Sequence, residues 1–463
     1  MPSRQDQLHS YQFTIQRAVA ALVMRETDPV QSPFRRLAGA GLASVLVAAI
    51  VLGGFALYGL FAGGGTKWRD AGAVIVEKES GARFVYREQK LHPVLNYASA
   101  LLIIGADRPK TVLVSRRSIE GVPRGLPLGI ADAPDSLPAA RRLADTPWTV
   151  CSVAGLDPDR AAPRSAVLIG VSGGGGRALG EDGLLLRGPD GALHLVWRQR
   201  RHLIRDPDRV LAALATTRAR AVAVAPALLN TLPAGSDLAP LALPGAGERS
   251  DEVDGARVGD VYLVRNVGNG RQYAVALRDG LAGITEMQAS LLLARTGQGE
   301  PEPITLGRFA ELPKVPDLAP TGPTAPPAVP PKLAAPDTGA LCARVGDDGG
   351  AAEVRLGVRL PDLATTPRTA PATPGGPVLA DHVVVEPGRG AVVESVAAPG
   401  ATGGAVSVVT DLGRRYVLAG GDVLGMLGYS GVRPARLPAS LVSLVPAGAT
   451  LDPASAREVA APA

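Results

Sequence analysis

Aromatic rings, histidines, lysines and cysteines are all scarce in this sequence, and each scarcity removes a class of function. With 6 Phe, 3 Trp and 8 Tyr in 463 residues, the basic residues lack the neighbouring ring faces on which single-stranded nucleic acids stack. The 48 basic and 43 acidic residues are interleaved, for a net charge of +5, which reads as a solvated surface. Nucleic acid is therefore not an expected partner. The five histidines, His9, His92, His194, His202 and His382, contain no pair four residues apart, so no helix presents two of them to one metal ion. None of the six lysines follows a glycine, which excludes the phosphate-binding loop of nucleotide hydrolases, where lysine stands directly after glycine.

Other chemical signals fail on their context. Gly170-Val171-Ser172-Gly173-Gly174 fits the G-x-S-x-G pattern, but that pattern needs a strand, a strained turn and then a helix. The glycines that follow, Gly173 to Gly176 and Gly180, are expected to form a mobile loop instead. Asp251 to Gly255 resembles a calcium loop, yet Val253 stands where an oxygen ligand is required. No catalytic residue, cofactor or metal site is expected.

What the sequence does contain is apolar length. No charge lies between Arg36 and Lys67, and residues 37–62 are long enough as a helix to cross a bilayer core of about 30 Å. A cleaved signal would have a shorter apolar run and small residues at its end, whereas Tyr58 to Phe61 is bulky. The expectation is one permanent transmembrane helix. In residues 1–36, Leu8, Tyr11, Ile15, Val19 and Leu22 recur every three or four positions, which predicts an amphipathic helix capped near Ser10 and ended by Pro29. Its apolar face is expected to meet partner subunits or lipid headgroups.

Some 400 residues remain, in a chain rich in glycine (56) and proline (41), a profile of short strands and frequent turns. Their only cysteines are Cys151 and Cys342. In an exported domain two such cysteines pair; in a reducing compartment they would stay as two buried thiols. Four similar units are expected, each with a strand after a glycine turn, a Leu/Ala-rich helix and a second strand-like run. The first strands are residues 81–86, 191–197, 270–275 and 413–418. Pro226-Ala227 before Leu232-Pro233-Ala234-Gly235 is echoed by Pro438-Ala439 before Val445-Pro446-Ala447-Gly448. The expected order is repeat 1 over 63–145, half of a central β domain over 146–187, repeat 2 over 188–255 and repeat 3 over 256–311. A Pro-rich extended strap over 312–337 follows, then the other half of the central domain over 338–408 and repeat 4 with the tail over 409–463. Strands at 184–186 and 391–396 are grouped with the central domain in this reading. The fold class is α+β, dominated by β: an amphipathic helix, one transmembrane helix and an elongated exported domain.

This order of parts resembles the EccB family of type VII secretion membrane proteins. The resemblance rests on Gln7-Leu8-His9-Ser10-Tyr11-Gln12-Phe13, on Arg35-Arg36 before the single apolar helix, and on Trp148-Thr149-Val150-Cys151 with Leu341-Cys342. Ala380 to Val385 followed by Pro387 to Ala391 adds to it, and it covers essentially the whole chain. It implies a cytoplasmic tail, a periplasmic domain of four repeats around a central β domain, and assembly in the inner membrane with EccC, EccD and EccE and with further copies of itself. Some members are described as ATPases. A membrane-tethered wall-binding protein is the alternative from another class.

Overall fold

The computed structural model describes residues 3–25, 33–62, 66–70, 72–107, 109–144, 148–153, 162–265, 270–296, 298–346, 351–369, 376–398 and 400–460. Its first helix, α1, spans Arg4–Met24. The cap is Ser3, not Ser10: the Ser3 hydroxyl accepts from the Asp6 amide while the Asp6 carboxylate accepts from the Ser3 amide. That reciprocal pair satisfies two free amides at once, so the helix starts before Ser10, which lies within it. Pro29 lies outside the described residues. The second helix, α2, spans Pro33–Ala62.

Beyond them the described residues form five sheets. In the first unit Ala73–Glu77, Arg83–Arg87 and Lys90–Pro93 form an antiparallel meander; helix Tyr97–Ile104 then returns the chain to Lys110–Val114, parallel to the first strand. The same topology recurs in units built on Leu184–Arg187, Val261–Arg265 and Ala391–Val396. In each, a short helix follows the returning strand. The hairpin tips Glu88-Gln89 and Arg198-Gln199 occupy equivalent places, all four residues having φ between 44° and 61°, the backbone that a two-residue turn needs to match strand twist.

The structure differs from the sequence reading in how two strands are grouped. Leu184–Arg187 pairs with Leu193–Trp197, and Ala391–Val396 with Ala405–Val409, so each opens a repeat unit rather than joining the central sheet. The central sheet itself has the order His382–Val385, Arg164–Ile169, Trp148–Val153, Ala340–Val345, Ala351–Arg359, Gly174–Ala178. The last of these corrects another expectation: the glycine run is an edge strand, not a mobile loop. Gly175 and Gly176 have φ of 66° and 77°, and a Cβ at Gly176 would lie 2.8 Å from both the Leu356 carbonyl and the Val358 side chain. Glycine here permits close backbone approach rather than disorder.

A second recurring device closes every unit. The Pro123, Pro233, Pro313 and Pro446 carbonyls accept from Leu91, Arg201, Leu281 and Arg415 at 2.9 Å, and the amides of Leu128, Leu238, Leu318 and Leu451 donate back to the same strands. In three units a glycine between these contacts lies under a ring: a Cβ on Gly125, Gly235 or Gly448 would come within 2.2–2.3 Å of His92, His202 or Tyr416. In the third unit the small residue is on the strand, Ala282, and the segment carries Val315, both within one apolar cluster. The volume is thus conserved by exchange of partners. Gly235→Ala should consequently lower stability by about 1–3 kcal/mol through overpacking, readable as a shift in the urea midpoint. Full stability with His202 unmoved would contradict the packing.

Shared cores connect the units in the spatial order first, fourth, second, third. The first and fourth units share one core, in which Leu101 and Leu102 meet Val423 and Leu427. Tyr429 Oη also donates to the Pro138 carbonyl at 2.8 Å. The second and third share another, with Val210 and Leu211 against Met287 and Leu291. Helices Pro226–Thr231 and Ala439–Val442 touch each other and lie in one core with the central-sheet residues Trp148, Val150, Val167 and Ala343. The first and third units cover their corresponding short helices with preceding chain instead: Trp68 over Ile119, and Val253 with Ala256 over Leu312 and Phe309.

Candidate membrane anchor and assembly surfaces

Helix α2 contains a span, Ala38–Ala56, whose mean hydropathy is 2.1 and of which nothing is buried in the protein. Leu42, Val45, Leu46, Val47, Ile50, Val51, Leu52 and Phe55 are each 49–71% exposed. At 100° per residue those positions point in every direction, and a helix that is apolar all round and uncovered requires a nonpolar solvent. Helix α1 presents Leu8, Tyr11, Ile15 and Leu22 exposed and Val19 half-buried. Phe13, on another face, is also exposed, with Arg17 5.8 Å from its ring centre; the three-and-four spacing passes over it.

Cys151 and Cys342 are joined by a disulfide and are both buried. They face each other across the antiparallel strands Trp148–Val153 and Ala340–Val345. Strand alternation puts Val150 and Ala343 on the helix-covered side and the two sulfurs on the opposite face, beside Leu168 and Val358. The bond closes 191 residues of sequence separation, which contain the whole of the second and third units. The Pro-rich strap lies along those units: Thr324 and Ala328 carbonyls accept from Ser236 and Met287, and Lys332 and Ala334 pair with Gly183. Prolines remove donors but leave carbonyls, so the strap ties down donors from several units without needing a sheet of its own.

The residues weighed for chemistry are scattered. Ser172 is exposed, and the element after it is the edge strand Gly174–Ala178. With Gly173, Arg344, Glu353 and Arg355 it lines a cleft of ≈ 330 Å³. Both guanidinium groups there meet one carboxylate, Glu353, at 2.8 and 3.5 Å, and Arg355 also donates to the Gly176 carbonyl at 2.8 Å. Val253 is buried. His194, His202 and His382 are buried in separate places, and that burial pushes all three imidazoles below the ordinary histidine value. Among the described residues no three His, Cys, Asp or Glu converge as a metal site. Sequence reasoning did not single out Trp68, which is 2% exposed and fixes the chain emerging from α2 into the first unit. A lone tryptophan just beyond an apolar span was the available signal.

A family model described as "Type VII secretion system ESX-1, transport TM domain B" matches residues 1–461. The "ESX-3 secretion system ATPase EccB3" of Mycolicibacterium smegmatis is 30% identical over 476 residues, covering 96% of this chain and 88% of the relative. The "ESX-2 secretion system ATPase EccB2" of Mycobacterium tuberculosis is 34% identical over 236 residues, 50% of this chain and 47% of its own length. Among solved structures, a chain of an intact ESX-5 inner membrane complex superposes with a TM-score of 0.68 at 26% identity, covering 100% of this chain and 96% of that one. The EccB3 dimer from the ESX-3 core complex gives 0.63 at 26% identity, with 83% and 100% covered.

Proposed function

The chain belongs to the EccB family of type VII secretion membrane proteins, and we propose that it acts there as a scaffold whose tail and span hold partner subunits while its repeats meet neighbouring copies. The observation that carries this reading is the likeness, over the full length, to a chain of an assembled ESX-5 inner membrane complex. The tail is cytoplasmic and the repeats are periplasmic in this reading, which suits a disulfide, since such bonds persist in oxidising compartments. A single helix cannot set the tilt of so large a domain, so lateral contacts between copies must do so. EccC-, EccD- and EccE-like subunits are the partners of the tail face.

Two relatives are named as ATPases. In this chain the arginines of the Gly173–Gly176 cleft already share Glu353, whose charge repels phosphate, so hydrolysis is assigned to the EccC-like motor. Turnover of ATP by the purified chain that survives repurification would reverse that assignment.

Affinity purification of the detergent-solubilised full chain tests the scaffold. Motor and channel subunits should co-purify, and Leu8→Asp with Ile15→Asp should reduce their recovery about tenfold or more, as expected when a few apolar contacts are lost. The variant should remain in carbonate-washed membranes. Recovery of peptidoglycan alone would favour the wall-binding alternative and overturn the scaffold.

A further inference from the structure

The chain's positive charge is concentrated beside its membrane span. Residues 66–125 hold eleven lysines and arginines and six acidic residues, an excess equal to the +5 of the entire chain. This segment makes up most of the first unit, and it has little room to leave the bilayer. Ala62 ends α2 and Trp68 is buried in the core of the unit, so the six residue-to-residue steps from one to the other allow a separation of at most about 20 Å. Several basic side chains stand around that plug. Arg69 lies 5.2 Å from the Trp68 ring centre and Arg124 lies 4.5 Å from that of Phe84, in the same cluster. Arg117 precedes Ser118, whose hydroxyl accepts from Trp68 Nε1 at 3.1 Å. All three arginines are exposed, and among the described residues no ion pair is formed by any of them; Arg116 alone of this group pairs, with Glu77 at 2.8 Å.

We infer that this rim is a docking surface for anionic phospholipid headgroups of the bilayer that the span crosses, so that the first unit lies on the membrane. Short tether, exposed guanidinium groups and local charge excess act together: attraction between basic side chains and an anionic leaflet acts within about one Debye length, near 8 Å at physiological salt. Arginine suits the contact because its planar fork binds phosphate oxygens in pairs. Docking would supply one of the constraints on tilt that a single helix lacks. The inference rests on the transmembrane reading of α2.

The test uses the full chain in nanodiscs of phosphatidylcholine alone or with about 30% phosphatidylglycerol, read by amide hydrogen exchange. Segments 66–70 and 113–126 should exchange about fivefold more slowly over the anionic lipid, the factor expected for one basic contact near a charged surface. About 0.5 M salt should remove the protection. Arg69→Glu with Arg117→Glu, both exposed, should abolish it, while Arg220→Glu, a charge reversal on the exposed surface of the second unit, should not. Equal exchange in both lipids, or equal loss with Arg220→Glu, would overturn the docking. Protection that appears only with other subunits present, and equally over phosphatidylcholine, would assign the rim to a protein and overturn it too. Loss of the chain from carbonate-washed membranes would sink the transmembrane reading itself, a failure separable from the others.

Discussion

Replacing Cys151 and Cys342 together by alanine is expected to destabilise the central sheet by as much as about 5 kcal/mol, the chain-entropy figure for a closed loop of this length. The loop spans 191 residues, and with the bond cut the unfolded chain regains the freedom of two folded units and the strap between its ends. Structure retained in the unfolded state reduces the figure, so it is an upper value. Trp148, buried on the same strand as Cys151, is well placed to report the loss in urea unfolding of the solubilised full chain. Wild-type protein under reducing conditions should move to the midpoint of the double variant. A denatured, non-reduced sample should show no free thiol. If the Trp148 transition is unmoved after the bond has been shown to open, the staple contributes nothing to stability and its role in joining the halves is lost. Because both cysteines face away from the helix-covered core, the double variant keeps the packing of Trp148, Val150 and Ala343, and the reduced wild type, which keeps both sulfurs beside Leu168 and Val358, isolates the effect of the link.

The parts legible from the sequence were those written in local pattern. An unbroken apolar run announces its own solvent, and α2 follows from it directly. Recurrent strand, helix and Pro-Ala-Gly punctuation likewise announced repeats of one topology. Pairing was harder to read. Leu184–Arg187 and Ala391–Val396 look like any buried strand, and which sheet receives them is decided by long-range partners such as Leu193–Trp197 and Ala405–Val409, not by their own residues. The glycine run reads as a loop because glycine lacks strand propensity; pairing with Ala351–Arg359 makes it a strand, and at Gly176 only glycine leaves room for the Val358 side chain and the Leu356 carbonyl. Ser3 lost to Ser10 in the reading because the period of apolar residues begins at Leu8, whereas the capping pair of Ser3 and Asp6 precedes it. The spatial order first, fourth, second, third leaves no local mark at all.

Trp68→Ala should cost the first unit about 3–5 kcal/mol, the range for deleting a large buried ring. Its indole packs edge-on to Tyr86 at 5.5 Å between centres and lies in one cluster with Ile75, Phe84, Leu91, Val114 and Ile119. A loss of that size raises local opening more than about a hundredfold, and exchange at Ala73–Glu77 and Arg83–Arg87 in the membrane-embedded chain would register it. The fourth unit shares a core with the first and should loosen by less; the disulfide-joined strands should keep their protection. Trp68→Phe is the milder change, since it keeps a ring in the cluster and gives up part of the indole volume together with the bond from Nε1 to Ser118, the latter worth about 1 kcal/mol. The position of the plug also has a mechanical effect: the same ring that completes a core fixes where the chain from α2 enters it. With alanine there the span and the repeats become joined by a loose linker, and lateral contacts would have to align units that can swing freely. Assembly should therefore fall further than the stability loss alone accounts for, and Trp68→Phe should recover most of it. Unchanged exchange at Ala73–Glu77 in the alanine variant would show that the first unit closes without its plug.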